Sequence, residues 1–311
     1  MCALELDAMR TVLLCIALAL AAAATDSARF PVSAQTASWS ADIADIRRAA
    51  ALIPGAKPAR LNFLKFAASL RTKNFSVQGA PATPSVQART AFQVMYPDSY
   101  VMVDAGMDQA VHDFFGRGTK EPYDPAAAAQ VAKAVEGARM ILVTHEHGDH
   151  VAGVIRGPQA AQFAAKTILT RTQVEVLTTK PQMPEILLTA EQARRFIVVD
   201  YDKYLPVAPG IVLIKAGGHT PGSQMVFVTL ASGREYLLIG DATWHMDGVR
   251  EMKGKAAPWV TEDVPAVLDQ LRWLNQLSKS DPTLVIVASH DEEQHAELVS
   301  TKVLTNRLEL R

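Results

Sequence analysis

Four runs of uninterrupted apolar residues are each followed by a polar turn that carries imidazole or carboxylate. Met140-Ile141-Leu142-Val143 leads into His145-Glu146-His147-Gly148-Asp149-His150, and Ile211-Val212-Leu213-Ile214 leads into Gly217-Gly218-His219-Thr220-Pro221-Gly222. Tyr236-Leu237-Leu238-Ile239 precedes Gly240-Asp241, and Leu284-Val285-Ile286-Val287 precedes Ser289-His290-Asp291. Short apolar runs bounded by such turns read as buried β-strands. Side chains just past the ends of successive strands gather on one rim of a sheet, where α/β scaffolds hold functional groups on rigid support.

Between these strands the pattern shifts to helical spacing. Ser40 can cap a helix running through Ile53, whose Ile43, Ile46 and Ile53 share a face before Pro54-Gly55 stops it. Leu61 to Leu70 and Ala91 to Met95 read as strands of a first sheet, and Pro125 to Gly137 as an alanine-rich helix. Glu262 to Leu277 carries Val264, Leu268, Leu271 and Leu277 at helical spacing and ends before Asp281-Pro282. Strands and helices alternate in two similar halves meeting near residue 205. The expectation is an α/β fold, a four-layer αβ/βα sandwich with the polar clusters at the junction of two sheets.

The clustered residues are good ligands for a divalent first-row metal, none of them a thiolate, and Gly148 permits the tight backbone turn between them. In order and spacing they resemble the metallo-β-lactamase-fold hydrolase superfamily, with its His-x-His-x-Asp-His, Gly-His-Thr-Pro-Gly-like turn, later Asp and last His. The resemblance begins near Val101-Met102-Val103-Asp104-Ala105-Gly106 and runs to His290. It implies one metal held by His145, His147 and His219, a second held by Asp149, His150 and His290, and Asp241 bridging them. Two such cations would activate a bridging hydroxide and stabilise the oxyanion formed on an ester-like group. Asp149 would hold that hydroxide and pass a proton to the leaving group. Zinc is the expected metal, although iron, manganese and cobalt suit the same donors.

The Asp104 segment, the interval from His219 to Asp241 and Ser289-His290-Asp291 are most similar to the N-acyl homoserine lactone hydrolases of that superfamily. Those enzymes commonly have a tyrosine three residues after the bridging aspartate, where it binds the carbonyl oxygen. Here the position is Trp244, whose indole can donate a hydrogen bond but cannot shuttle a proton; His245 beside it could take a polar role. Secreted organophosphate hydrolases share all seven ligands, so phosphotriester or aryl ester hydrolysis is the alternative, with Trp244, Trp259 and Phe114-Phe115 as candidate pocket walls. A non-catalytic periplasmic metal- or ligand-binding protein is the reading from another class. His295 falls outside the pattern, and its replacement is expected to matter little.

Composition narrows the setting. Met9-Arg10 precedes an apolar run from Thr11 to Ala24, which has the form of a secretory signal and is too short to span a bilayer comfortably. The expected organisation is a cleaved signal over 1–24, an N-terminal extension with a helix over 25–58 and a catalytic domain over 59–311, in a periplasmic or secreted protein with no transmembrane anchor after cleavage. Both cysteines, Cys2 and Cys15, lie in the signal, so the mature chain would carry neither disulfide nor thiolate ligand. Of 31 basic and 32 acidic residues the signal takes one and two, leaving a neutral chain with no basic stripe for nucleic acid. A small-molecule substrate is expected, and the oligomeric state cannot be read.

Overall fold

The computed structural model describes residues 38–310, so the expected signal over 1–24 lies outside the described residues. In chain order the strands are β1 (Arg60–Thr72), β2 (Pro84–Met95), β3 (Tyr100–Val103), β4 (Met140–Leu142), β5 (Thr167–Thr170), β6 (Ile197–Val199), β7 (Tyr204–Ala208), β8 (Ile211–Lys215), β9 (Gln224–Thr229), β10 (Glu235–Leu238), β11 (Val285–Val287) and β12 (Thr305–Asn306). They form a seven-stranded sheet in the order β12-β1-β2-β3-β4-β5-β6 and a five-stranded sheet in the order β11-β10-β9-β8-β7. The chain passes from one sheet to the other between Val199 and Tyr204, close to the expected midpoint.

Period-two alternation explains the layering. In β8, Ile211 and Leu213 join a core with Phe63, Phe92, Val103 and Leu142 of the first sheet, so this cluster lies between the sheets. The intervening Val212 and Ile214 face the opposite way, against Leu271 and Leu274 of the helix Val264–Ser280 and Ile46 of the helix Ile43–Ala50. A third cluster packs the helices Pro125–Gly137 and Gly148–Ile155 on the outer face of the first sheet through Val131, Val135 and Val151. The result is helix, sheet, sheet, helix: the four-layer sandwich. Among the described residues no helix is long and apolar enough to cross a membrane.

Local departures have local causes. The first helix starts at Ile43 rather than Ser40, because the Asp42 side chain accepts from the Ala44 N–H at 2.7 Å and so caps it there. The same helix buries Ile46, Ala49 and Ala50 in the second core, so the described part of the expected extension contributes to the packed fold. The second strand begins at Pro84, seven residues before the expected Ala91, and Glu262 lies outside the helix expected to contain it.

The close approach of Gly153 to the Asp104-Ala105-Gly106 turn seats the metal-ligand helix. A Cβ at Gly153 would lie 2.1 Å from the Ala105 carbonyl oxygen, whereas Gly153 N–H now donates to the Gly106 carbonyl at 2.9 Å. Gly153→Ala therefore has to lift the helix Gly148–Ile155, with a destabilisation of about 2–3 kcal/mol. Chemical denaturation measures it; an unchanged midpoint would show that the contact is not tight.

Candidate metal centre

Because β8 and β10 both run antiparallel to β9, and β11 runs parallel to β10, the turns after β8, β10 and β11 emerge at one end of the second sheet. These turns carry His219, Asp241 and His290, and the loop after β4 brings His145 and His147 to the same place. Asp149 and His150 follow in the first turn of the helix Gly148–Ile155. All seven expected ligands are thus brought together from both sheets.

They form two triads. His145 Nε2 lies 3.2 Å from His147 Nδ1, and His219 Nε2 lies 3.1 Å from the same atom. In the second triad Asp149 Oδ2 is 3.3 Å from His150 Nε2 and 3.4 Å from His290 Nε2, which are themselves 3.3 Å apart. Asp241 stands between, with Oδ2 3.7 and 3.5 Å from the Nε2 atoms of His145 and His219, and Oδ1 3.4 and 3.1 Å from those of His150 and His290. Oδ1 is buried without a hydrogen-bond partner. Separations of 3.1–3.4 Å suit a metal better than a hydrogen-bond network: ligands about 2.05 Å from zinc at tetrahedral corners are about 3.3 Å apart.

Tautomers are set from behind. His150 Nδ1 donates to Asp104 Oδ2 at 2.8 Å, His290 Nδ1 to the Ala88 carbonyl at 2.6 Å, and His219 Nδ1 to Glu262 Oε2 at 3.2 Å. Each bond leaves Nε2 free to face the centre, the arrangement that fixes metal-ligating imidazoles. Asp104 reaches His150 from a left-handed backbone (φ 63°), a conformation Asp tolerates better than most residues, and also accepts from the Thr144 N–H and hydroxyl. Burial holds His145, His147 and His219 below the usual imidazole range, His147 at about 3, so they are neutral donors. Burial opposes charge on Asp241 as well, but His290, His150 and His145 outweigh it and hold the carboxyl well below its ordinary value.

Several contributors had no recognisable sequence signal. Glu146, inside the ligand motif, is buried and accepts from the Thr220 hydroxyl at 2.9 Å and the Gly222 N–H at 3.1 Å, tying the two histidine loops together. Gly222 has no room for a side chain, since a Cβ would sit 2.5 Å from both Glu146 Oε2 and Gln173 Cγ. The Lys255 side chain is fully buried, donating to Glu262 Oε2 at 3.0 Å and to the carbonyls of Asp241 and Ala242 at 2.8 and 3.1 Å. Arg89 donates to Asp149 Oδ2 at 2.5 Å.

Trp244 and His245, expected at the substrate, are instead bonded within the protein through the Trp244 N–H and His245 Nδ1, while His245 Nε2 is buried without a hydrogen-bond partner. The single indole N–H of Trp244 donates to Asp241 Oδ2 at 2.8 Å. His245 caps the helix Met246–Glu251, its Nδ1 accepting from the Asp247 N–H at 3.1 Å. Phe115 stacks beneath the Arg89 guanidinium with the exposed Phe114 edge-on to it, and Trp259 packs on Phe75 and Arg117.

His295, outside the ligand set, is part of the buried core. It is 3 % exposed, wedged against Phe63 and Phe92, and its Nε2 donates to the Ala288 carbonyl at 2.8 Å. Burial pushes its pKa down to about 4, below an unfolded value of about 6.5. Between those values the unfolded chain binds a proton that the folded chain does not, so this residue's contribution is intact above about pH 6.5 and is lost as pH falls toward 4. The full span is worth about 3 kcal/mol. His295→Phe is expected to flatten the stability difference between pH 7 and pH 5 by about 2 kcal/mol, measured by urea unfolding; an identical pH slope would mean His295 titrates normally.

The chain matches the family model "Metallo-beta-lactamase superfamily" over residues 90–290. Among curated proteins it is similar to the N-acyl homoserine lactonase AiiA of Bacillus thuringiensis subsp. kurstaki, 24% identical over 154 residues, which is 50% of this chain and 56% of the relative. The chain therefore aligns with only about half the length of the curated relatives it matches. Among solved structures, an N-acyl homoserine lactone hydrolase with the product N-hexanoyl-L-homoserine bound at its metal center aligns with a TM-score of 0.61 at 19% identity, over 78% of this chain and 96% of that one. AidC, a dizinc quorum-quenching lactonase, aligns with a TM-score of 0.55 at 14% identity, over 76% and 89%. With most of its length under the family model and both ligand triads inside the matched span or at its edge, this chain belongs to the metallo-β-lactamase superfamily.

Proposed function

We propose that this protein is an exported, dinuclear metal-dependent hydrolase, with N-acyl homoserine lactones or similar cyclic esters as its substrates. The observation that carries the dinuclear reading is Asp241, whose carboxylate lies between the triads, Oδ2 facing His145 and His219 as well as His290, and Oδ1 facing His150 and His290. Two divalent ions, zinc by expectation, would polarise the scissile carbonyl and lower the pKa of the attacking water. His145, His147 and His219 would hold one and Asp149, His150 and His290 the other, with Asp241 shared.

The chain's own groups supply the rest. His147 is the least buried ligand, so substrate approaches on its side. Asp149, buried and ionised, can accept a proton from the attacking water and return it to the departing alkoxide oxygen, and Arg89 keeps its carboxylate in place meanwhile. The lactone class is supported by the relatives and structural neighbours. One observation favours phosphotriesters or aryl esters as a second reading: the Trp244 N–H is engaged by Asp241, so it does not replace the carbonyl-binding tyrosine of lactonases. Export rests on the 1–24 segment and would be checked by the N-terminal sequence of the mature protein.

The deciding experiment is proton release by purified, zinc-loaded protein on a long-chain N-acyl homoserine lactone, with His150→Ala as the control. His150-dependent ring opening supports the lactonase. A flat trace with two ions bound transfers the reading to phosphotriesters and aryl esters, and inertness toward all three would leave a non-catalytic metal-binding protein.

A further inference from the structure

The strand β2 forms one side of the second triad. Ala88 is bonded to His290 twice, its N–H donating to the His290 carbonyl at 3.0 Å and its carbonyl accepting from His290 Nδ1 at 2.6 Å. The next residue, Arg89, points its guanidinium at the ligand atoms themselves. Arg89 Nη1 is 2.5 Å from Asp149 Oδ2 and 3.4 Å from His290 Nε2. Nη2 donates to the Ser69 hydroxyl at 3.1 Å, and Cζ lies 4.8 Å over the Phe115 ring. With its side chain 7% exposed, the group is held through Nη1, Nη2 and the Phe115 ring, with Nε unpaired, and is screened little by water.

A guanidinium does not lose its proton in a protein. Two of the three donor atoms in the second triad therefore sit within 3.4 Å of a permanent positive charge. Among the described residues the imidazoles of the first triad have no arginine or lysine bonded to them; the Lys255 charge does act on His219, but across Glu262, which bonds both, and not in contact with a ligand atom. A divalent ion entering the second triad must share Asp149 Oδ2 with Arg89 and accept like-charge repulsion at close range in a poorly screened site.

We propose that Arg89 is a resident counter-cation that weakens metal binding at Asp149, His150 and His290, so that the two ions load in steps and the second is the exchangeable one. This rests on the dinuclear reading above. Arg89 is neither a ligand nor a catalytic group in this account; it sets how readily the second ion comes and goes.

The test is zinc titration of the metal-free full chain against a chromophoric chelator, which reads occupancy independently of activity. The wild type should show two steps, the second at least thirtyfold weaker. Arg89→Gln keeps an N–H for Asp149 but removes the charge and should tighten the second step at least tenfold; Arg89→Lys keeps the charge and should stay within threefold of wild type. A second step that is unchanged or weaker in Arg89→Gln overturns the proposal. Arg89→Met is the alternative neutral variant, and circular dichroism checks that each variant folds. Should neither neutral variant fold, the wild type decides, because two equal ions in a single step overturn the proposal. A chain that binds no zinc at all would instead sink the metal-centre reading, which keeps the two failures apart.

Discussion

On the proposed dinuclear reading, Asp241→Asn is expected to lower hydrolysis by a factor on the order of 10³ and to release at least one metal ion. The carboxylate stands between both triads, and its Oδ1 is buried with no hydrogen-bond partner. An amide keeps the shape but not the charge. Its nitrogen cannot serve as a ligand, and its N–H would point at imidazole nitrogens or at a cation. The Trp244 indole, which donates to Asp241 Oδ2, retains its acceptor only if the amide oxygen turns toward it, leaving the NH₂ against His150 and His290. Metal content by elemental analysis and the rate on whichever ester proves to be the substrate read the two effects separately. Full activity with two ions retained would remove Asp241 from the shared position. His147→Ala, by contrast, should empty the first triad and leave the second able to bind, since the ring contacts His147 makes are with His145 and His219.

What could be read from the sequence, and what could not, divides along one physical line. The ligand loops were legible because each follows an apolar strand whose burial is written in its own residues, and the helix Pro125–Gly137 has the expected ends because Asp124 caps it and Pro125 sits in its first turn. The groups behind the ligands were not. Residues 84–90 of β2 read as polar because Gln87, Arg89 and Thr90 are polar, yet all three are buried, their partners being Ser76, Asp149 and the Ser289 carbonyl. Two of those partners are separated from them by 60 and 199 residues, so nothing local announces the pairing. Lys255 looks like one more lysine in a solvated loop until the fold delivers Glu262 and two carbonyls to it. Trp244 was legible as a departure from the lactonase pattern, but not as a donor to Asp241, because that depends on how the turn after β10 closes.

Lys255→Met should be the most destabilising substitution outside the ligands themselves. Its ammonium has no exposed surface and holds Glu262, which is 4% exposed, against His219. Burial alone would raise the Glu262 carboxyl; the His219 and Lys255 contacts outweigh it and hold the group below its ordinary value. Methionine matches the lysine stem in length and fills its space, so the loss is electrostatic: a buried carboxylate without its cation, and the carbonyls of Asp241 and Ala242 without a donor. Breaking a buried pair in this way costs about 3–5 kcal/mol, and disturbing the partner that orients His219 should weaken metal binding by about 10–100-fold. Calorimetry on the metal-free protein separates the first effect from the second. The decisive comparison is with Lys255→Met/Glu262→Gln: the amide removes the stranded charge while its oxygen can still accept from His219 Nδ1, so the double variant should recover part of the stability that Lys255→Met loses. Losses that simply add would mean that Lys255 acts through the two backbone carbonyls and not through Glu262, and the turn carrying Asp241, rather than the imidazole of His219, would then be the structure that this lysine holds in place.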